Sequence, residues 1–160
     1  MIRVVVADDQ ALMRTALEHF VAQAEDLEVV GSAEDGVQAL EAARTLAPDV
    51  VLMDMQMPLM DGVEATRRIK DTHPAIRVLA ITTFTSEDYL VPALRAGAGG
   101  YLLKDAEPPA ILGAIQAVHR GESVLFQFGH DVVEYRDVQV FDRGKRLGEV
   151  AGREAGLFCY

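Results

Sequence analysis

The chain has 160 residues, half of them apolar, and 25 acidic against 15 basic side chains leave a net charge of −10. That length holds one domain of about 100–150 residues plus an appendage, and so acidic a field repels nucleic acid and anionic membrane, which argues against direct DNA binding by this chain alone. A lone Cys159 excludes an internal disulfide and fits a reducing cytoplasm; no apolar run reaches membrane-span length, and the first, Val4–Ala7, is followed at once by acids, so no signal peptide is expected.

The pattern predicts a strand over Ile2–Ala7 and a helix over Ala11–Ala22, where Leu12, Ala16, Leu17, Phe20 and Val21 recur at helical spacing. Leu27–Ser32 reads as a second strand, and Gly36–Leu46 as a helix that Pro48 stops. Val50–Met53 is a continuous apolar run, the mark of a strand buried on both faces. A helix over Val63–Lys70, a strand over Ile76–Thr82, a helix over Glu87–Ala96 closed by Gly97, a strand over Gly100–Leu103 and a last helix over Pro109–Arg120 complete the series. Strand and helix alternate five times with short connections, which predicts a parallel sheet with helices on both faces.

Ligands in such sheets bind beyond the carboxyl ends of the strands, near a topological switch point. The first strand ends in Asp8 and Asp9, the third in Asp54, the fourth in Thr82 and Thr83, and the fifth in Lys104. Three clustered carboxylates repel one another, and a hard divalent cation relieves that repulsion; oxygen-only ligands suit Mg²⁺, which also accepts phosphate oxygens. Asp8 and Asp9 are the better metal ligands. Asp54, presented at a strand end, suits nucleophilic attack on phosphorus, with Mg²⁺ and Lys104 stabilising the transferred group and Thr82 donating to it. Taken singly these acids have plainer roles, Asp9 as a helix cap for example; their conjunction with Lys104 and Thr82 favours the site.

The segments VVVADDQ (4–10), VLMDMQMPLMDG (51–62), LAITTF (79–84) and GGYLLKD (99–105) resemble the receiver domain of two-component response regulators, over about residues 1–121. The loop wording is similar to the NarL/FixJ (LuxR-type) subgroup. This resemblance implies a flavodoxin-like, CheY-like five-stranded parallel sheet with helices on both faces. It makes Asp54 the phosphoacceptor. Mg²⁺ would be held by Asp8, Asp9, Asp54 and the backbone carbonyl of Gln56. Thr82 becomes the switch hydroxyl, Tyr101 the switch aromatic that swings from outward to inward, and Lys104 the phosphate-pairing ammonium. The phosphodonor is a sensor histidine kinase, a homodimer forms on phosphorylation, and the domain is no enzyme beyond its own aspartyl phosphorylation and dephosphorylation. Where the family commonly has a Pro with a cis bond after the lysine, Asp105 stands here.

Residues 122–160 depart from the subgroup. They are too few for a helix-turn-helix output domain and lack its pattern, and they read as a strand-like tail: a β-hairpin with its turn at Asp142–Lys145, or a dimerisation element. DNA contact would need an output domain not seen in this chain, so a stand-alone phospho-receiver acting through a protein partner or dimer state is the alternative to a transcriptional regulator. Other strand-end chemistries fit less well. A haloacid-dehalogenase-type phosphatase wants a second Asp where Gln56 stands, an FMN phosphate loop would meet Asp8 and Asp9, and Gly97, Gly99 and Gly100 lie between a helix and a strand, the wrong order for a dinucleotide fingerprint.

Overall fold

The computed structural model describes residues 1–83, residues 87–125 and the strand segments 138–142 and 145–150. In chain order the elements are β1 (Ile2–Ala7), α1 (Ala11–Ala22), β2 (Leu27–Ala33), α2 (Gly36–Leu46), β3 (Val50–Asp54), α3 (Gly62–Thr72) and β4 (Arg77–Thr82). A 3₁₀ turn (Glu87–Tyr89), α4 (Leu90–Arg95), β5 (Gly100–Leu103), α5 (Pro108–His119), β6 (Val124–Leu125), β7 (Val138–Asp142) and β8 (Lys145–Val150) follow. The five-stranded parallel sheet and its flanking helices are those expected from the alternation. The sheet runs β2-β1-β3-β4-β5 and gains a short parallel strand, β6, beside β5.

Alternation along each strand sorts the core into two layers. Val5, Ala7, Val51, Met53, Val78, Ala80 and Tyr101 face one side and pack under α2, α3 and α4. Val4, Val6, Val50, Leu52, Leu79, Ile81 and Leu102 face the other, under α1 and α5. The central strands are buried on both faces, which is why β1, β3 and β4 read as unbroken apolar runs.

Local chemistry sets the element ends. Asp35 and Asp61 cap α2 and α3, their carboxylates accepting from the N–H groups of Gln38 and Glu64. α4 is shorter than its sequence pattern implies, because Glu87–Tyr89 winds as a 3₁₀ turn, and the chain turns back at Gly97 with φ of 104°. β7 and β8 pair antiparallel, Val138 opposite Val150 and Asp142 opposite Lys145. The turn expected between them (143–144), the run around Val132 and Val133, Cys159 and Phe84 lie outside the described residues. Among the described residues no helix is long and apolar enough to cross a membrane.

Candidate functional site

The strand order reverses direction between β1 and β3, so the chain leaves a crevice above their carboxyl ends. Register fills it. Ala7 pairs with Met53, which sets Asp8 beside Asp54; Asp54 pairs with Ile81, and Thr82 with Leu103, one step before Lys104. Ligand atoms of Asp8, Asp9 and Asp54 lie within 4.8 Å of one another.

The Lys104 ammonium lies 2.9 Å from Oδ2 of Asp8 and 2.9 Å from Oδ2 of Asp54. Only the contact to Asp54 is aligned as a hydrogen bond, so Asp8 Oδ2 is paired by charge while lacking a hydrogen-bond donor. The remaining oxygens are held by the backbone. Asp8 Oδ1 accepts from the Gln10 N–H at 2.8 Å, and Asp54 Oδ1 from the Gln56 N–H at 3.1 Å. Gln56, expected to contribute its carbonyl, thus also orients the carboxylate through its N–H.

Asp54 is only 2% exposed and Asp8 is fully buried, whereas Asp9 is open to solvent. The mouth is therefore narrower than a solvated strand end. Burial pushes the Asp54 carboxyl up from its ordinary 3.8 to about 6; the Lys104 ammonium and the Gln56 N–H oppose the rise, and the charge of Asp8 adds to it. Burial pulls the Lys104 ammonium down, but its pairing with Asp54 and Asp8 outweighs it, so the net displacement is upward. Asp9 does not cap α1; Gln10 takes that position without a side-chain bond.

Thr82 is fully buried, and its hydroxyl has no hydrogen-bond partner among the described residues. By alternation it shares the α4 face with Ala80, the cross-strand neighbour of Tyr101. Tyr101 is itself fully buried in that layer. The Lys104 N–H donates to the Thr82 carbonyl at 2.7 Å, which ties the two residues through the backbone, and the Lys104–Asp105 peptide is trans.

From the sequence Gly62 reads as a turn residue that starts the next helix without crowding, whereas Arg14 escaped that reading. Gly62 opens α3 directly against β3: a Cβ there would lie 2.0 Å from the Asp54 carbonyl oxygen. Arg14, on α1, reaches back to donate from Nη1 to the Asp8 carbonyl oxygen at 2.7 Å. A cation near a helix N-terminus opposes the helix dipole, and that misfit was the available signal.

The residues fit a hard divalent cation. The donor set is all oxygen, Asp8 offers a buried oxygen without a hydrogen bond, and Asp9 gives solvent-side access.

Comparison with known proteins bears on the same residues. The profile of the response regulator receiver domain matches residues 4–116. The chain is 42% identical over 125 residues to the transcriptional regulatory protein LnrK of Bacillus subtilis, covering 78% of this chain and 57% of LnrK. It is 43% identical over 125 residues to the response regulator GacA of Pseudomonas viridiflava, covering 78% and 58% respectively. The match thus spans little more than half the length of these curated relatives. Among solved structures, the signal receiver domain of NarL from Mycobacterium tuberculosis superposes with a TM-score of 0.73 at 36% identity, over 76% of this chain and 98% of that one.

Proposed function

The chain belongs to the response regulator receiver domain family, and from that premise we propose that it is the phospho-accepting switch of a two-component pathway, with Asp54 as phosphoacceptor. The observation that carries this reading is the meeting of Asp8, Asp9, Asp54 and Lys104 at the switch point of the sheet. In the proposed reaction an Asp54 carboxylate oxygen attacks the phosphorus of a phosphohistidine on a sensor histidine kinase. The O–P bond forms, the N–P bond breaks, and the histidine nitrogen leaves with the electron pair. Asp8, Asp9, Asp54 and the Gln56 carbonyl would hold Mg²⁺, which would neutralise charge on the phosphoryl oxygens.

The chain's own groups do the rest. The Gln56 N–H holds Oδ1 and leaves Oδ2 as the oxygen paired with Lys104. Lys104, already shared between two carboxylates, transfers its pairing to the new phosphoryl oxygens. The buried Thr82 hydroxyl gains in a phosphoryl oxygen the acceptor it lacks. Because Thr82 and Tyr101 share one sheet face, movement of Thr82 changes the space available to the ring and so the surface formed by α4, β5 and α5. The domain catalyses only its own aspartyl phosphorylation and dephosphorylation, and it works in the cytoplasm.

Transcription is the proposed output, through pairing of phosphorylated copies and an output domain not seen in this chain. The net charge of −10 favours a second reading, in which the chain signals through dimer state or a protein partner without touching DNA. Intact-mass and native mass spectrometry after treatment with acetyl phosphate and Mg²⁺ tests the assignment. One phosphoryl group per chain is expected on the wild type and none on Asp54→Asn. A stable acyl phosphate elsewhere on that variant would refute the role given to Asp54.

A further inference from the structure

Asp8 is fixed at every polar atom but one. Its N–H donates to the Ala33 carbonyl at 3.0 Å, its Oδ1 accepts from Gln10, and its carbonyl accepts from Arg14 Nη1 at 2.7 Å. That carbonyl belongs to the Asp8–Asp9 peptide, whose plane sets the direction in which Asp9 leaves the strand. Asp9 is the exposed member of the acidic set, and among the described residues no side-chain hydrogen bond holds it. The Arg14 side chain is only 15% exposed, and its second nitrogen stands 3.4 Å from Glu34 Oε1, in the connection between β2 and α2. Arg14 therefore spans from α1 to the end of β1 and on to the loop after β2.

We infer that Arg14 is a positioning residue for the divalent ion: by holding the Asp8–Asp9 peptide plane it presents the Asp9 carboxylate to the site. This rests on the Mg²⁺ reading of the acidic cluster. Geometry and charge make opposite predictions for the same substitution. A guanidinium on the backbone of Asp8 repels a divalent cation held by the acidic set, so by charge alone its removal tightens binding. Loss of a group that orients a ligand weakens binding, by about tenfold or more for such outer contacts.

The test is a titration of the full chain with Mn²⁺, followed by electron paramagnetic resonance of the free ion, without any phosphodonor. Wild type is expected to bind one ion at a site that Asp9→Asn weakens. Arg14→Met, which keeps the apolar stem and a good helix former but has no donor, is expected to bind about tenfold more weakly. Arg14→Lys, which keeps one donor, is expected to recover part of that loss. In acetyl phosphate reactions the half-saturating Mg²⁺ concentration should rise for Arg14→Met while the rate at saturating Mg²⁺ stays near wild type. Arg14→Gln, too short to reach the Asp8 carbonyl, serves as a second variant if circular dichroism shows Arg14→Met unfolded, and its affinity should fall equally. Unchanged or tighter Mn²⁺ binding in the folded variant overturns the positioning role and leaves the metal reading intact. Absence of Mn²⁺ binding by wild type overturns both.

Discussion

Replacing Asp54 by Asn should make the metal-free protein more stable at neutral pH. The carboxyl is raised from 3.8 to about 6 by burial, so its ionised form is worse off in the folded chain than in the unfolded one. Two units correspond to about 3 kcal/mol. The opposing bond from Lys104 is already contained in that net rise, and the buried Asn amide must still find partners, so the expected net gain is about 1–2 kcal/mol. The sign follows from proton counts. Between 3.8 and about 6 the folded wild type binds more protons at this site than the unfolded chain, so this group's contribution is complete below that window and is lost as pH rises through it. Asn has no such slope. The gap should be full at about pH 7.5 and shrink steadily as pH falls to about 3.5. Urea unfolding in EDTA, followed by far-ultraviolet circular dichroism since the chain has no Trp, reads the difference. With a slope of about 2 kcal/mol per molar urea, the midpoint should rise by roughly 0.5–1 M at neutral pH. A wild type as stable as the variant at neutral pH, or a gap that ignores pH, would refute the account.

Gly62→Ala should destabilise the chain by about 2–4 kcal/mol, because its Cβ would fall 2.0 Å from a backbone oxygen that cannot swing aside. The same urea assay checks it, and slower acetyl phosphate labelling should accompany the loss; a change below about 0.5 kcal/mol would count against the close approach. Thr82→Val removes a buried hydroxyl that has no partner among the described residues, and should leave the metal-free protein equally stable or more stable by about 1 kcal/mol. Native mass spectrometry should at the same time show a weaker phosphorylation-linked shift to dimer; a normal shift would remove Thr82 from the switch.

Much of this architecture could be read before any coordinates because its signals are local. β1, α1, α2 and β5 end where periodicity and stop residues place them, since a parallel sheet buried on both faces writes itself as short apolar runs. Asp54 and Lys104, 50 residues apart, could be paired because both stand just past such runs and the sheet aligns those ends. Less legible was whatever depends on three-dimensional approach. β6 is two residues long and carries no periodicity, yet Val124 is fully buried beside β5. The contact of Gly62 with the Asp54 carbonyl and the reach of Arg14 to the Asp8 carbonyl involve backbone acceptors, and a carbonyl looks the same at every position of a sequence.

The double contact of Lys104 gives the acidic crevice a resident counterion. A chain so equipped can fold without waiting for a metal, because its most deeply buried anions are neutralised by a covalently tethered cation. The same arrangement would turn occupancy of the crevice into an exchange: an incoming ion would compete with an ammonium for carboxylate oxygens, and a measured affinity would report the difference between them. Sensitivity to divalent ions is thereby set by the tether as much as by the ligands. Shortening or discharging the side chain at position 104 would move the working concentration range without altering any carboxylate.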